Sequence, residues 1–244
     1  MYKTAKKVLS KIISRKKLMQ YEVVLRKGYG ILYSGTACQC TICNKKLRYF
    51  IPVLSNNLLC PACGSLARDR RLWLLLNEGI LKNGICVLDF SPSRSLFRKL
   101  KNVRDINYSS TDLSGNFIAD HAYDITALDI PDNSLDLIIC YHILEHITED
   151  AKAMAELLRV LKPGGQAVIQ TPFKEGAIYE DFSITAPSER EKHFGQDDHV
   201  RIYSVAGLKE RLEKAGFEVA VHTFDGNKYN GLISGETVIV AQKA

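Results

Sequence analysis

Three absences shape the first reading of this chain of 244 residues. No apolar run approaches the roughly 18 residues that a membrane span requires. The basic N-terminus is not followed by a continuous apolar segment, so a secretory leader is not expected either. Acidic residues are almost missing from the first 27 positions, where Glu22 alone faces Lys3, Lys6, Lys7, Lys11, Arg15, Lys16, Lys17, Arg26 and Lys27. This local excess is larger than the net charge of the whole chain, +6, so the remainder is close to neutral. A near-neutral body argues against a main domain built to grip nucleic acid. The third absence is local. "VLDFSPSRSL", Val87 to Leu96, reads as a strand ending in an acid, a turn and a helix start. That is how a nucleotide-binding unit opens, yet the loop has no glycine.

A hydrophobic content of 46% with 25% charged residues suits an ordinary soluble domain, and the length allows one large domain and a small module. The expected divisions are a basic extension (1–35), a four-cysteine module (36–66) and a large α/β domain (67–244). In the extension, Ala5, Val8, Leu9, Ile12 and Met19 fall near one helical face. Such a helix either packs on protein or lies on an anionic membrane surface. The expected location is cytoplasmic, with peripheral contact at the inner membrane surface as the second of these outcomes.

Five of the seven cysteines lie between positions 38 and 63. Cys40-x2-Cys43 and Cys60-x2-Cys63 stand sixteen residues apart. Two such knuckles supply four thiolates to a tetrahedral ion, and a closed four-thiolate set leaves no position for water, so a structural Zn2+ in a zinc-ribbon-like module is expected. Iron suits four thiolates as well. A disulfide framework lacks the secretory context it needs. Cys38 is spare, and Cys86 and Cys140 sit in apolar runs as buried strand residues. The helical stretch after the module carries Leu66, Leu72, Leu75, Leu76 and Ile80 in a stripe. Its Arg68, Arg70 and Arg71 are expected to pair with local acids or stay solvated.

From Ile85 onward strands and helices alternate, which argues for a doubly wound, mostly parallel sheet. Thr148 and Ser204 read as helix N-caps, and Lys162-Pro163-Gly164-Gly165 as a helix stop. The last two strands, joined only by "DGNKYNGLISG", should pair antiparallel. Asp89, Asp112, Asp124 and Tyr141-His142 each fall at the carboxyl end of an expected strand. Ligands bind there in such sheets, and a carboxylate after the second strand suits a ribose diol.

The stretch "DNSLDLIICYHILEHITEDAKAMAELLRVLKPGGQAVIQTP" resembles the fourth strand, helix, turn and fifth strand of class I S-adenosylmethionine-dependent methyltransferases, the seven-stranded Rossmann-like type. The resemblance covers about Ile85 to the C-terminus. "CPACGSLARDR" and "EREKHFGQDDHVRIYS" resemble a bacterial subgroup with an N-terminal four-cysteine zinc module. The resemblance implies S-adenosyl-L-methionine as cofactor. Asp89, Phe90, Ser91, Pro92 and Ser93 would line its methionine end, and Asp112 would hold the ribose. Leu113 would pack on the adenine, Asp124 and Ile125 would meet its edge, and Tyr141 and His142 would lie under the sulfonium. The family loop reads acid-x-Gly-x-Gly. Here Ser91 and Ser93 replace the glycines around Pro92, so a turn of another shape is expected.

Methyl transfer from a sulfonium is mostly positioning and desolvation, with a base where the acceptor must lose a proton. His142 is the first candidate base and His199 the second. Tyr179, Glu180, Glu189, Arg190, His193 and Arg201 belong to a polar insertion expected to act as a lid. "HILEH" also fits H-x-x-E-H, but that zinc motif needs a helix where His142 ends a strand. The expected acceptor is a small molecule, a saccharide or a lipid-linked compound, methylated on oxygen or nitrogen. The alternatives are an RNA methyltransferase using the zinc module and basic tail, and a non-enzymatic zinc-bearing interaction protein on a degenerate fold.

Overall fold

The structure, a computed structural model, describes residues 15–53 and 57–244, with side chains from Tyr21 on. The amphipathic segment Ala5–Ile12 lies outside the described residues. No described helix is long and apolar enough to cross a membrane.

The chain forms two compact units, each discontinuous in sequence. The first holds the described residues up to Ile80 together with Ser93–Lys99 and Asp225–Ser234. It opens with helix α1 (Arg15–Leu32). Two short antiparallel pairs follow, β1 (Ser34–Gln39) with β2 (Lys46–Leu47) and β3 (Ile51–Val53) with β4 (Asn57–Leu59). Helix α2 (Ala67–Leu75) continues into a wider π turn over Leu76–Ile80. Asp69 caps its start by accepting from the Leu66 N–H at 2.9 Å. Leu72 and Leu76, one helical turn apart, are fully buried, as the stripe requires.

The second unit is built on one mixed sheet. Its strands are β5 (Cys86–Phe90), β6 (Asn107–Thr111), β7 (Leu135–Tyr141), β8 (Leu161–Gln170), β11 (Phe217–Phe224) and β12 (Glu236–Lys243). They lie in the order β11-β12-β8-β7-β5-β6. The four on the β6 side run parallel, and β12 is antiparallel to both its neighbours. β7 is apolar almost throughout, as a strand buried on both faces must be. Chain order reverses between β5 and β7, which sets the switch point of the sheet at their carboxyl ends.

Six strands replace the expected seven among the described residues. The segment near Asp124 makes only isolated bridges, Thr111 with His121 and Asp124 with Ala127. Side chains hold it beside a few backbone bonds: Asp120 accepts from the Ser110 N–H and hydroxyl at 3.0 and 2.9 Å, and Thr111 Oγ1 accepts from the Tyr123 N–H at 2.8 Å, while the Asp120 and His121 N–H groups share the Ser110 carbonyl. A backbone tied by side chains has fewer groups to give a ladder.

Helix α3 (Arg94–Leu100) follows β5, and α4 (Asp150–Val160) follows β7. Ala153, Met154, Leu157 and Val160 of α4 are fully buried in the core cluster with Leu88, Ile138, Cys140 and Ile169. The expected cap at Thr148 is not made; Glu149 precedes the helix, and the Thr148 carbonyl accepts from Arg201. Lys162–Gly165 does not follow the helix as a free turn. It bulges within β8, whose register with β7 jumps from Leu135↔Leu161 to Leu137↔Gln166. The insertion after β8 holds the pair β9 (Tyr179–Glu180) and β10 (Arg201–Ile202) around helix α5 (Pro187–Phe194). Helix α6 (Val205–Lys214) is capped as expected, with Ser204 Oγ accepting from the Gly207 N–H.

Candidate functional site

In the first unit the four knuckle cysteines come together, and among the described residues no cysteine is in a disulfide. Cys40 Sγ lies 3.7 Å from Cys63 Sγ, and Cys43 Sγ lies 3.9 Å from Cys60 Sγ. Four sulfurs on a tetrahedral ion with metal–sulfur bonds of about 2.3 Å stand about 3.8 Å apart, so the donor set fits such an ion. The two knuckles repeat one backbone turn. The Asn44 N–H donates to the Cys40 carbonyl (2.8 Å) and the Gly64 N–H to the Cys60 carbonyl (2.9 Å). Asn44 and Gly64 both take positive φ, 57° and 82°. Hydrogen bonding among the four sulfurs pushes the Cys40 thiol down and the Cys43, Cys60 and Cys63 thiols up. Four neighbouring thiols cannot all ionise without a cation. Cys38 stands outside the set, its Sγ 3.5 Å from the Leu47 carbonyl.

Arg70 departs from the expected pairing with acids or solvent. It is fully buried and donates to the carbonyls of Ser65 (2.8 Å), Leu58 (2.9 Å), Asn230 (2.9 Å) and Gly231 (2.6 Å). Arg71 likewise is buried and donates to the Asp225 carbonyl. The loop 225–234, which reads in sequence as a mere connection, thus closes over the second knuckle. A Cβ on Gly231 would come within 2.5 Å of the Phe50 ring. Only a residue without one fits there.

In the second unit the sequence-predicted residues gather at the carboxyl ends of β5, β6 and β7. Asp89 is buried, paired in register with Ser110 and Ile139, and accepts from the Tyr108 hydroxyl at 3.0 Å. Burial, then Asp89, push the Tyr108 hydroxyl up, so it stays a donor. Ser91 takes φ 45°. The loop therefore keeps the left-handed turn that glycine makes easily, and Ser91 spans it with two bonds. Its N–H donates to the Thr111 carbonyl (2.8 Å), and its hydroxyl donates to Asp112 Oδ1 (2.8 Å). Asp112 also accepts from the Phe117 N–H (3.0 Å) and from Ser114 (3.0 and 3.1 Å). Ser114 has one proton for both oxygens, so a ligand hydroxyl can take its place at one of them. Beside this buried carboxylate Leu113 is 63% exposed, an apolar face open to a flat base. These residues fit an adenosyl group.

The other predicted residues are placed as follows. Phe90 is buried at the end of β5, and Pro92 closes the segment that belongs to this unit. Ser93 belongs to the first unit, where its hydroxyl accepts from the Leu96 N–H and meets Ser95. Asp124 is exposed and folds a local turn, accepting from the Thr126 N–H and hydroxyl at 2.8 Å, which hold its carboxyl below the usual range. Ile125 is in the core. Tyr141 ends β7, paired with Gln170.

His142 follows with φ 56°. Thus both strands flanking the switch point, β5 and β7, run into a non-glycine residue in the left-handed region. Such strain persists only where the surroundings enforce it, and it clusters at functional sites. His142 Nδ1 lies 3.2 Å from Glu145 Oε1. Glu145 is 1% exposed on a single 3-10 turn, Leu144–His146. In the tautomer that donates from Nδ1 to Glu145, Nε2 presents a lone pair; that atom is buried and has no partner. Glu145 Oε2, Gln170 Oε1, Thr171 Oγ1 and His199 Nε2 are buried without partners too. Gln170 ends β8, and Glu145 and Thr171 follow β7 and β8; the His199 ring packs edge-on against His146 at 4.6 Å. Burial, then His146, hold His199 below the usual imidazole range and so neutral.

Glu145 entered the sequence reading only as the acid of H-x-x-E-H, and Thr171 was missed. The sheet register ties the segments that carry them, with the His142 N–H bonded to the Gln170 carbonyl at 2.8 Å. The polar insertion is less of a loose lid than expected. Arg201 is 1% exposed and donates to Glu180 (2.9 Å) and to the carbonyls of Ile147 and Thr148 (the latter at 2.9 Å). Arg211 joins Asp150 and Glu180 to it at 2.5 and 2.6 Å. Tyr179 and His193, bonded at 2.7 Å, stay exposed.

A family model described as "Methyltransferase domain" matches residues 66–222, well over half of the chain. A protein of Mycolicibacterium smegmatis, named a probable S-adenosylmethionine-dependent methyltransferase, is 34% identical over 39% of this chain and 33% of its own length. A ubiquinone/menaquinone biosynthesis C-methyltransferase of Hahella chejuensis is 34% identical over 41% of this chain and 48% of its own. The chain thus spans between a third and a half of the length of these two relatives. The solved structure of the [4+2]-cyclase SpnF superposes with a TM-score of 0.53 and 17% identity over 92% of this chain and 94% of that one, a likeness of fold alone.

Proposed function

The chain belongs to the methyltransferase-domain family, and from that premise we propose that it transfers a methyl group from S-adenosylmethionine to an oxygen or nitrogen of a small-molecule, saccharide or lipid-linked acceptor. The observation that carries this reading is the left-handed backbone at Ser91 and at His142, on the two strands that flank the switch point. It keeps the turn of a cofactor loop in a sequence without its glycines, and Ser91 hands its hydroxyl directly to Asp112.

In this reading Asp112 binds the ribose hydroxyls, Leu113 covers one face of the base, and the segment Asp89 to Pro92, continuing in the chain to Ser93, lines the methionine end. Asp124 and Ile125 meet the adenine edge, and Tyr141 lies beneath the sulfonium. When bound, the cofactor supplies a methyl already activated by positive sulfur. The chain's own task is therefore to orient it, exclude water and take a proton from the acceptor. His142 Nε2 is the atom for the last step. Glu145 holds the opposite edge of the ring, which fixes the tautomer and stabilises the imidazolium after proton transfer. The four-thiol cluster is a structural zinc centre in the same reading. Its coordination is closed, so it takes no part in the reaction. A lipid-linked acceptor agrees with the nine cations against one anion in the first 27 residues, a charge pattern drawn to anionic membrane surfaces.

Calorimetric titration with S-adenosylmethionine tests the cofactor assignment. Binding is expected in the wild type and about a hundredfold weaker in Asp112→Ala, which removes charge-assisted bonds worth about 1.5–3 kcal/mol each. Equal affinity in the two proteins, or no heat at all in the wild type, would remove the assignment. Radiolabelled methyl transfer to fractionated cell extracts then separates the acceptor classes. Label in RNA rather than in lipid or small molecules would replace the acceptor proposed.

A further inference from the structure

The three buried or half-buried groups Glu145, His146 and His199 are not all used by methyl transfer, and they converge. One donor atom from each lies within 4.8 Å of the others. A first-row metal with bonds of about 2.0–2.2 Å needs its donors roughly 3–4 Å apart, so the side chains must draw together by about 1–2 Å at most, a rotamer adjustment. From this geometry we infer that Glu145, His146 and His199 form a second metal site, one that binds a divalent first-row transition cation through two imidazoles and one carboxylate.

The state of the donor atoms supports it. His199 is 3% exposed, and its Nδ1 lies 3.2 Å from the Phe194 carbonyl. A carbonyl only accepts, so Nδ1 carries the proton and Nε2 is a bare lone pair, buried and without a partner. Glu145 Oε1 faces His142, and Oε2 is buried without a partner as well. Two electron-rich atoms of this kind in one pocket, neither bringing a proton to the other, call for a cation. His146 completes the set from the more open side. Its Nδ1 faces Asp198 Oδ2 at 3.3 Å, the arrangement in which a carboxylate fixes a ligating ring and leaves Nε2 for the metal.

The frame around the donors is rigid. The Val200 N–H donates to the Glu145 carbonyl at 2.9 Å, and the buried Arg201 bonds the carbonyls of Ile147 and Thr148. The loop that carries Glu145 and His146 is thereby tied to the segment that carries His199. Donors of this type suit zinc, manganese, iron, cobalt or nickel rather than the all-oxygen shells of calcium or magnesium. The motif H-x-x-E-H is not the source of the site. His142 stands at a strand end and turns to Glu145, and the third ligand comes from 53 residues beyond His146. Three protein ligands leave coordination positions open. The inference does not depend on the proposed methyl transfer, since the cation binds whether or not the cofactor does.

Equilibrium dialysis of the full chain against Zn2+, with metal counted by mass spectrometry, tests it. Two equivalents are expected in the wild type, one on the thiols and one here. Glu145→Gln, His146→Gln and His199→Ala should each weaken the second equivalent at least about a hundredfold and leave the first in place. Asp198→Asn should weaken it about tenfold, as loss of an outer partner does. Co2+ added to protein with zinc already on the thiols should give weak visible bands without thiolate charge transfer. Should His199→Ala fail to fold, the half-exposed His146→Gln carries the same test. A single equivalent in the wild type, or a second one that survives these three substitutions unchanged, overturns the inference.

Discussion

The thiol cluster and the polar cluster beyond β7 and β8 solve opposite problems. Around the thiols the ligands come from two local turns and the polar groups are closed off. Two copies of one turn, Cys40–Asn44 and Cys60–Gly64, aim four sulfurs inward, and Arg70 is satisfied by carbonyls on every side. Beyond β7 and β8 the partners are distant and incomplete. His142 with Glu145, Thr171, and His199 come from three separate segments, and each residue keeps a buried polar atom without a partner. A site that only holds structure together tends to satisfy all its groups, whereas a site that must bind something else leaves some of them waiting. Glu145 is the sharpest instance, with one oxygen committed to a neighbour and the other not.

The largest effect should come from breaking the closed site. If the proposed zinc sits on the thiols, Cys60→Ser removes one of four ligands from a centre whose binding free energy, in small zinc domains, is about 10–16 kcal/mol and is coupled to folding. The expected outcome is loss of the thiol-bound metal together with the cooperative unfolding of the first unit. It would be read by metal content and by the amide exchange of Ser34–Leu59. Retention of native exchange protection without metal would show that the carbonyl cage of Arg70 suffices by itself.

Next comes the frame of the open site. Arg201→Met keeps the volume but leaves Arg211 as the one cation on Glu180 and Asp150. Breaking a buried pair in this way costs about 3–5 kcal/mol, or roughly 10 °C in Tm for a chain of this size. Acid should reveal the same change. Burial raises the Glu180 carboxyl, but Arg211 and Arg201 outweigh it and hold the group below its ordinary value. A lowered folded value stabilises the protein above the unfolded carboxylate range and is lost as pH falls through the folded one. The variant should therefore unfold at higher pH than the wild type, by circular dichroism. An unchanged acid midpoint would mean that Arg211 alone sets Glu180.

His142→Asn comes third and leaves stability nearly untouched. It keeps a polar side chain that fits a left-handed backbone, since asparagine tolerates that region. It removes the lone pair at Nε2. Label transfer to acceptor should fall by about a hundredfold or more, the usual worth of a positioned base, with affinity for S-adenosylmethionine unchanged. A fall in cofactor affinity instead would make His142 part of the cofactor cradle rather than the base.

The same contrast explains what could be read from the sequence. Cys40, Cys43, Cys60 and Cys63 announce themselves because their chemistry is carried by spacing along a few residues. Asp112 could be read because it stands at a strand end, and strand ends follow from the alternation of apolar runs. Arg70 could not be read. Its carbonyl partners Asn230 and Gly231 lie 160 residues or more away, and nothing in "NKYNGLISG" encodes that the loop returns to the cysteine module. Thr171 was hidden for the same reason, because its segment meets that of His142 only through β7 and β8 lying side by side. The strand lost near Asp124 shows the converse. Its residues have strand character, but the Ser110 and Thr111 hydroxyls accept from the Asp120 and Tyr123 N–H groups, which a regular ladder would need.

The smallest expected effect is the most informative about the glycine-free loop. Ser91 contributes two separable things: a hydroxyl on Asp112 and a backbone held at φ 45°. Ser91→Ala removes the first and keeps the second. Ser91→Gly removes both the hydroxyl and the strain, since left-handed backbone costs an ordinary residue about 1–2 kcal/mol and glycine almost nothing. Glycine in turn loses more freedom on folding, by about 0.5–1 kcal/mol. The two variants should therefore differ by only about 1 kcal/mol, with glycine the more stable, while both lose the same bond to Asp112. Chemical denaturation of the pair measures that difference directly. If alanine proved as stable as glycine, the turn at Ser91 would be relaxed, and the pairing of strained backbone at both flanks of the switch point would reduce to His142 alone.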